Sequence, residues 1–398
     1  MFRIQTFNKI APEGLSLFKR ETYEVSSDIL KPDAIVVRSA DLSGIEIPET
    51  VLAIARAGAG FNNIPVDKCS ERGIIVFNTP GANANAVKEI VLASLFLSSR
   101  KIIDGITWAK TLSGNTGDIS ALVEKSKSNF EGPEIYGKTL GVIGLGAIGV
   151  MVANDASSLG MNVIGYDPYI SVDSAWNLSR TVKHAQTLEE ILSKSDYISI
   201  HVPYSDSTKG MLNAEKIKLM KKGARLLNFA RGGLAKEADI KAALDGGCLS
   251  LYVTDFPDAE ILSHEKVICI PHLGASTPEA EINCAIMAAK QLKDFLETGN
   301  IKNSVNFPHC SLNNHAAHRL LVANKNIPNM VGQITTILAD GSSGSGKRKS
   351  INITDLINHH LGNFAYNIID TEEKITDDIL LRLKQVPGIV RVRTIDFE

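Results

Sequence analysis

The stretch TLGVIGLGAIGVMVANDASSLGMNVIGYD, residues 139–167, has the pattern of a strand, a glycine-rich turn, a helix and a second strand that ends in a carboxylate. Residues 140–143 form a short apolar run with β-branched members, which is typical of a buried parallel strand. Gly144, Gly146 and Gly149 follow in the spacing G-x-G-x-x-G, which permits a tight turn, a close approach of a pyrophosphate and close helix–strand packing. The stretch therefore predicts a dinucleotide-binding unit.

The carboxylate after the second strand indicates which dinucleotide fits. Asp167 lies eighteen residues after Gly149, close to the spacing at which an acid accepts hydrogen bonds from the adenine ribose. It would repel the 2′-phosphate of NADP, and Pro168 and Tyr169 follow it rather than an arginine. The helix that opens near Ala147 would direct unpaired N–H groups at the phosphates. We therefore expect NAD as the cofactor.

The length and composition limit the classes of protein to which the chain can belong. A chain of 398 residues is too long for one core and predicts two or three domains. Its 44% hydrophobic and 22% charged content is typical of a globular enzyme, and its net charge of −2 argues against nucleic-acid binding. The five cysteines lack paired metal-ligand spacing, so we expect reduced thiols and no metal site. Without a signal peptide or membrane-length apolar run, a cytoplasmic location is expected.

The chain before the glycine-rich unit predicts a small α/β domain followed by a long helix. Gly, Pro and Asn clusters separate the strand-like runs of residues 1–85, which lie at 4–7, 34–38, 52–57 and 74–77. A single helix is predicted over residues 86–110, because this segment has few breakers. From 137 to about 271 strands and helices alternate, as in a doubly wound sheet. The later strands are predicted at 197–202, 224–229, 250–254 and 267–270.

The order of these segments predicts a discontinuous first domain. Residues 1–85 are too few for a complete domain, so we expect residues 280–310 to complete it, with a nucleotide-binding domain at 86–279 inserted between them. Residues 311–398 read β-α-β-β-α-β, the ferredoxin-like order, and predict a third domain. The Gly/Ser-rich segment 341–350, with its basic cluster Lys347–Lys349, predicts a flexible loop of unassigned role. The predicted class is thus α/β with a C-terminal α+β domain.

Three polar residues follow strands of the predicted nucleotide-binding domain. They are Arg231 in NFARGG, Glu260 in TDFPDAE and His272 in IPHLGAST. Oxidation of a hydroxyl by hydride transfer needs a group that takes the hydroxyl proton, and histidine titrates in the right range. A carboxylate beside it would stabilise the imidazolium, and an arginine fork matches a substrate carboxylate. Together these residues predict oxidation of a 2-hydroxy acid.

Four motifs together resemble a known family. NTPGANANAVKE (78–89), GKTLGVIGLGAIG (137–149), NFARGG (228–233) and PHLGAST (271–277) are similar to those of the D-3-phosphoglycerate dehydrogenases in the D-2-hydroxyacid dehydrogenase superfamily. The resemblance extends to the C-terminal segment, which looks like an ACT regulatory domain. It implies a Rossmann-like cofactor domain inserted in a flavodoxin-like substrate domain. It also implies NAD-dependent oxidation of 3-phosphoglycerate to 3-phosphohydroxypyruvate, the first step of serine biosynthesis.

The resemblance assigns catalytic roles to the three polar residues. Arg231 corresponds to the family's catalytic arginine and His272 to its proton-relay histidine. The acidic partner has two candidates, since the family pattern D-V-F-x-x-E-P is DFPDAE here. Counting from Asp255 selects Glu260, whereas anchoring on Phe256 makes Asp258 the rival. Asp255 itself would face the nicotinamide carboxamide.

The resemblance also implies cofactor and substrate contacts. The implied cofactor contacts lie in turns after strands, and they are Gly144, Gly146, Ala147, Ile148, Gly149, Asp167, Val202, Pro203, Phe229, Ala230, Arg231, Asp255, His272, Gly274 and Ala275. The implied substrate contacts lie in turns of the first domain, and they are Arg38, Ser39, Arg56, Gly58, Gly60 and Asn62. Of these, Arg38 and Arg56 would offer positive charge to the phosphate.

In the third domain the segment NKNIPNMVGQI resembles the ACT signature. The resemblance implies L-serine as an effector, held by Asn324, Asn326 and Asn352, and a homodimer or homotetramer. The alternative for this domain is a dimerisation module that binds no ligand. Two other functions remain open at this point: another D-2-hydroxyacid dehydrogenase, such as a glyoxylate or hydroxypyruvate reductase, and a non-enzymatic NAD-sensing interaction protein.

Overall fold

The computed structural model describes residues 1–313, 316–341 and 350–397. The chain divides into two compact units, Met1–Asn83 with Glu281–Glu398, and Ala84–Ala280. The second unit is thus an insertion in the first along the sequence. Most of the predicted Gly/Ser-rich loop, including Lys347–Lys349, lies outside the described residues. No helix in the described ranges is long and apolar enough to cross a membrane.

The N-terminal part of the first unit is a five-stranded parallel sheet. Its strands are β1 Phe2–Phe7, β2 Tyr23–Ser26, β3 Ala34–Val37, β4 Ala53–Arg56 and β5 Ile75–Phe77, with helices α1 Pro12–Leu15 and α2 Val66–Glu71. The strand order is β2-β1-β3-β4-β5, the flavodoxin-like order. Strands β3 and β5 are buried throughout, as expected of strands covered on both faces.

The inserted unit contains a seven-stranded parallel sheet. Its strands are β6 Thr139–Ile143, β7 Asn162–Tyr166, β8 Lys183–His184, β9 Tyr197–Ile200, β10 Ala224–Asn228, β11 Leu249–Thr254 and β12 Val267–Cys269. The order is β12-β11-β10-β9-β6-β7-β8. Because the first strand of the unit lies in the middle and the order reverses beside it, this is the Rossmann topology with one added strand.

Eight helices of the inserted unit are described, along with one 3₁₀ helix at Lys127–Phe130. They are α3 Ala84–Ser99, α4 Ile102–Thr111, α5 Ile119–Ser126, α6 Ala147–Ser158, α7 Val172–Asn177, α8 Leu188–Lys194, α9 Ala214–Ile217 and α10 Glu237–Asp245. Val87, Val91 and Leu95 of α3 join the apolar core that covers one face of the sheet. Their i, i+4 spacing gives that helix its buried stripe.

The rest of the first unit begins with the long helix α11 Pro278–Thr298. It continues with β13 His318–Lys325, α12 Met330–Asp340, β14 Ile353–Leu361, β15 Phe364–Thr371, α13 Asp377–Gln385 and β16 Ile389–Asp396. These four strands form an antiparallel sheet of order β14-β15-β13-β16 with two helices, the ferredoxin-like arrangement. The predicted fold class, with all three sheets, is confirmed.

One apolar core runs through both sheets of the first unit. It contains Ile4 and Phe77 from the five-stranded sheet, Leu292 from α11, and Leu321 and Ile368 from the antiparallel sheet. The buried Arg319 adds polar links, because it pairs with Asp370 at 2.6 Å. Its guanidinium also donates to the Thr298 carbonyl at 2.8 Å, at the end of α11. The two sheets are therefore packed on one another through α11.

Two predictions of local structure were wrong. The single helix expected over 86–110 is two helices, α3 and α4, and the hydroxyls of Ser98 and Ser99 donate to the Leu95 carbonyl where α3 ends. Such bonds compete with helix propagation. The edge strand β2 was missed, since YEVS is short and only its first residue, Tyr23, is buried.

Candidate active site

The three glycines after β6 have three different surroundings. Gly144 has φ +90°, and a Cβ there would lie 2.7 Å from the His201 carbonyl oxygen. A Cβ on Gly149 would lie 1.9 Å from the Gly144 carbonyl oxygen, whereas one on Gly146 would meet no atom within 4 Å. Gly144 and Gly149 are therefore required by the fold, but Gly146 leaves free space beside the backbone.

This free space lies at the N-terminus of α6. Gly146 is the N-cap residue, and no side chain accepts hydrogen bonds from the first-turn N–H groups. Gly146 and Ala147 are exposed. Uncapped N–H groups and the helix dipole favour an anion at this position. The residues present therefore fit the pyrophosphate of a dinucleotide.

The carboxylate of Asp167 lies beside the same turn. It accepts hydrogen bonds from the Leu145 N–H and the Tyr169 N–H, each at 2.8 Å. These bonds fix the carboxylate next to the glycine loop. Each oxygen retains a second lone pair, so the group can still accept from a ribose hydroxyl.

The carboxyl ends of neighbouring strands bring Asp255 and His272 together. Asp255 directly follows β11, and its carbonyl oxygen accepts the His272 N–H at 3.2 Å. His272 has φ +45°, and its ring packs on Phe256 with 4.7 Å between ring centroids. A left-handed backbone is uncommon for a residue other than glycine and persists only where neighbours hold it. The fold thus fixes the main chain of His272.

The side chain of Asp255 is buried but only partly hydrogen-bonded. It is 2% exposed, Oδ2 accepts the Gly274 N–H at 3.3 Å, and Oδ1 has no partner in the described structure. Burial raises the pKa of this carboxyl, while the nearby charges of His272 and Arg231 act to lower it. An unpaired buried oxygen is costly unless a ligand donates to it, so Asp255 is suited to a donor such as a carboxamide.

Arg231 lies in a turn that the buried Asn228 holds in place. The Asn228 side chain donates to the Arg231 carbonyl at 2.9 Å and accepts the Ala230 N–H at 3.2 Å. The guanidinium of Arg231 is exposed and donates to the Ala230 carbonyl at 2.7 Å. Sequence reasoning missed Asn228, although an asparagine at the end of a buried strand was a usable signal.

The two candidate acids after β11 are not in contact with His272. Asp258 accepts the N–H groups of Glu260 and Ile261 at 2.9 and 3.2 Å, and so caps its own turn. Glu260 is exposed. Neither carboxylate forms a hydrogen bond or ion pair with His272 in the part of the chain that the structure describes. The charge of His272 acts to lower the pKa of the neighbouring Asp255, whose carbonyl accepts the His272 N–H.

His201, which directly follows β9, was not singled out from the sequence. Its Nε2 pairs with the Ser199 hydroxyl at 2.8 Å, and burial lowers its pKa to about 4. The ring is therefore neutral at pH 7. Since its carbonyl oxygen borders Gly144, His201 supports the glycine loop.

The remaining predicted cofactor contacts lie at the same edge of the sheet. Val202 and Pro203 follow β9, Phe229 and Ala230 follow β10, and Ala275 follows Gly274. Of these, Phe229 is buried in the core and Ile148 packs against that core. The structure thus gathers these residues at the carboxyl ends of the parallel strands, where ligands bind in such sheets.

The predicted substrate residues lie at the carboxyl ends of β3 and β4 and in the turns that follow these strands. Arg38 pairs with Glu281 of α11 at 2.7 Å. Arg56 donates through Nε to the Asn63 side chain at 3.0 Å, and a Cβ on Gly58 would lie 2.2 Å from its Nη1. Gly58 therefore leaves room for the Arg56 guanidinium.

Two asparagines that sequence reasoning missed fix these turns. Asn63 donates to the Arg38 and Ala40 carbonyls at 3.3 and 2.7 Å, and Asn8 accepts the Ser39 N–H at 3.1 Å. The predicted Asn62 is exposed, and Gly60 is partly exposed. Asn62 as a substrate contact stays a prediction, while its neighbour Asn63 holds the turn through its side-chain amide.

The three predicted effector asparagines are not brought together. Asn324 is buried and accepts the Asn367 amide at 2.7 Å, and Asn326 donates to the Gly362 carbonyl at 3.2 Å. Asn352 lies beside the other end of the sheet, where its N–H donates to Glu373 at 2.9 Å. Asn324 pairs with Ala365 and Ile353 with Thr371, so about 20 Å of strand separates the two ends.

Comparison with known proteins agrees with this geometry. Residues 92–274 match the family described as D-isomer specific 2-hydroxyacid dehydrogenase, NAD binding domain. This stretch of the chain is the NAD-binding domain of the D-2-hydroxyacid dehydrogenase family. Its nucleotide-binding domain takes NAD, as the glycine loop and Asp167 predict.

Relatives and solved structures support the same placement. The chain is 36% identical over 331 residues to a D-3-phosphoglycerate dehydrogenase of Methanocaldococcus jannaschii, covering 80% of this chain and 60% of that protein. It is 31% identical over 326 residues to that of Bacillus subtilis, covering 77% and 59%. The match thus spans about three-fifths of the length of these relatives.

Two solved structures of the family are also similar. The NAD⁺-bound 3-phosphoglycerate dehydrogenase of Entamoeba histolytica has 26% identity and a TM-score of 0.60, with 77% of this chain and 98% of that one covered. The D-lactate dehydrogenase of Aquifex aeolicus, solved with NAD and lactic acid, has 25% identity and a TM-score of 0.58, covering 77% and 99%.

Proposed function

We propose that this chain is an NAD-dependent oxidoreductase that oxidises 3-phospho-D-glycerate to 3-phosphohydroxypyruvate. The observation that carries the proposal is that Arg231 after β10, Asp255 after β11 and the His272 bonded to it lie at the same sheet edge as the glycine loop. The phosphoglycerate assignment is supported by the named relatives and by two arginines at the ends of neighbouring strands, Arg38 after β3 and Arg56 at the end of β4. The product, 3-phosphohydroxypyruvate, would be used in serine biosynthesis.

The chemistry assigns a separate task to each residue. NAD, when bound, supplies the hydride acceptor, and Gly146 with the first turn of α6 and Asp167 would hold its phosphates and ribose. His272 accepts the hydroxyl proton of the substrate as general base. Arg231 holds the substrate carboxylate through its fork of donors. Asp255 would accept from the carboxamide of the cofactor. Glu260, or its rival Asp258, would stabilise the protonated imidazole only after its loop moves towards His272, because Asp258 caps its own turn here.

We assign two functions to the first unit: residues 1–85 with 280–310 would bind substrate, and residues 311–398 would form the regulatory ACT-like part. The inserted residues 86–279 would bind NAD. Because Asn352 lies at the opposite end of the antiparallel sheet from Asn324, serine held by these residues would need two copies of the sheet. Equilibrium dialysis with labelled serine tests this part, and absence of saturable binding would remove it.

Self-association is part of the same proposal. Helices α4 and α5 bury none of their residues, and Ile102, Ile103 and Ile106 of α4 are 42%, 41% and 52% exposed. Apolar side chains exposed in a row support a homodimer or homotetramer. Light scattering should give a mass above that of one 43.0 kDa chain.

A steady-state substrate panel tests the function. With NAD, kcat/KM for 3-phosphoglycerate should exceed that for glycerate and lactate by at least about tenfold, since only the first offers a phosphate to Arg38 and Arg56. Equal values for the three substrates would contradict the phosphoglycerate assignment.

A second candidate, another D-2-hydroxyacid dehydrogenase, is favoured by one observation. The positive charge of Arg38 is paired with the carboxylate of Glu281, which reduces its attraction for a phosphate. Preference for glyoxylate or hydroxypyruvate in the reductive direction would support this candidate.

A further inference from the structure

The two arginines proposed for the substrate phosphate are held by different kinds of group. Arg38 forms an ion pair with Glu281 at 2.7 Å, and the two side chains are 37% and 44% exposed. Arg56 donates to the neutral amide of Asn63 at 3.0 Å. A carboxylate therefore offsets the charge of Arg38, while the Asn63 amide orients Arg56.

Glu281 and the two arginines all affect the pKa of one buried thiol, that of Cys284. Cys284 is buried one turn along α11 from Glu281. Burial raises the pKa of its thiol, Arg38 and Arg56 act to lower it, and Glu281 acts to raise it. The carboxylate is thus close to the place where both arginines would meet a phosphate.

The ion pair is weak enough to be displaced. Exposed ion pairs contribute little to stability because water screens them. An arginine binds a phosphate through two charge-assisted hydrogen bonds, which are stronger than ordinary ones. A phosphate can therefore replace Glu281 at Arg38, but the displaced carboxylate remains nearby and repels the incoming dianion.

We propose that Glu281 is a specificity-determining residue. It holds Arg38 in an ion pair that a phosphorylated substrate must displace, and so it weakens binding of phosphorylated 2-hydroxy acids relative to unphosphorylated ones. The inference rests on the proposed function, because it assigns Arg38 to the phosphate of the substrate.

The test compares Glu281→Gln with Glu279→Gln, a matched control that removes an equal charge from the same helical turn. In Glu281→Gln, KM for 3-phosphoglycerate should fall by about fivefold at low salt, with kcat unchanged. KM for glycerate should stay the same in all variants. In an Arg38→Ala background, Glu281→Gln should lower KM by clearly less than in wild type, because only the direct repulsion remains and the ion pair is absent.

The outcomes separate this inference from the proposed function. Equal KM values in Glu281→Gln and Glu279→Gln, or an equal gain in the Arg38→Ala background, would overturn the role of Glu281. A wild-type chain that does not oxidise 3-phosphoglycerate would instead contradict the proposed function. Calorimetric titration with inorganic phosphate would then decide the inference, since Glu281→Gln alone should bind phosphate more tightly than wild type.

Discussion

The main-chain N–H of His272 donates to the main-chain carbonyl of Asp255 at 3.2 Å. This bond joins the residue after β11 to the loop after β12, where His272 has a left-handed backbone with φ +45°. The charges of His272 and Arg231 act to lower the pKa of the same aspartate. Asp255 therefore interacts with both proposed catalytic residues.

Replacing Asp255 by Asn should stabilise the fold and weaken NAD binding. Burial raises the pKa of the carboxyl above its unfolded value. The stability that depends on this group is then fully present at low pH and is lost as the pH rises through the raised pKa. In Asp255→Asn the free energy of unfolding should decline less with rising pH than in wild type. Denaturation at a series of pH values measures this, and an unchanged slope would contradict the burial argument.

Gly146 and Gly149 should respond in opposite ways to alanine. A Cβ on Gly149 would meet the Gly144 carbonyl at 1.9 Å, so Gly149→Ala should lose about 1–3 kcal/mol of stability in spite of better helix propensity. Gly146→Ala should keep its melting temperature, because no atom lies within 4 Å. Its affinity for NADH should fall by about tenfold, since the methyl group occupies the space for the pyrophosphate. Thermal melting and fluorescence titration separate the two effects, and intact NADH binding by Gly146→Ala would argue against this loop as the phosphate site.

His272→Ala should abolish most turnover but not cofactor binding. Loss of a general base costs about 10²–10⁴ in kcat, whereas the glycine loop and Asp167 are unchanged. The dissociation constant for NADH should stay within about threefold of wild type. Turnover and NADH titration on the same preparation give both values. Retained oxidation in this variant would remove His272 from the mechanism.

Asn63→Asp and Asn63→Ala should differ in substrate binding. Both lose the amide that donates to the Arg38 and Ala40 carbonyls, so both should lose about 1–2 kcal/mol of stability. Only the introduced carboxylate of Asn63→Asp would pair ionically with Arg56 and compete with a phosphate there. KM for 3-phosphoglycerate should therefore rise more in Asn63→Asp, by about tenfold over Asn63→Ala. Equal KM values would show that Arg56 does not bind the phosphate.

Much of the fold could be predicted because its signals are local. The glycine spacing of 144–149, the apolar strand runs and the order of elements in the last ninety residues all depend on neighbours in sequence. The break between α3 and α4 could not be predicted. Serines also occur inside helices, and the sequence does not show that the hydroxyls of Ser98 and Ser99 bond to the Leu95 carbonyl. The strand β2 was missed because an exposed edge strand has a weak pattern.

The candidate site was predicted less completely for a related reason. Motifs select residues that touch ligands, such as Arg231 and His272, and not those that hold the turns. Asn228, Asn63 and Asn8 act through bonds to main-chain atoms, and for Asn63 and Asn8 these atoms are distant in sequence, which no spacing rule reveals. The Arg38–Glu281 pair joins residues more than two hundred positions apart and likewise required the fold.

A crystal structure with NADH and 3-phosphohydroxypyruvate tests the central claim most directly. The account predicts that the Arg231 guanidinium binds the substrate carboxylate and that His272 contacts the 2-oxygen, beside the nicotinamide of a cofactor held by Gly146. Substrate bound elsewhere, or His272 turned away from the 2-oxygen, would contradict it.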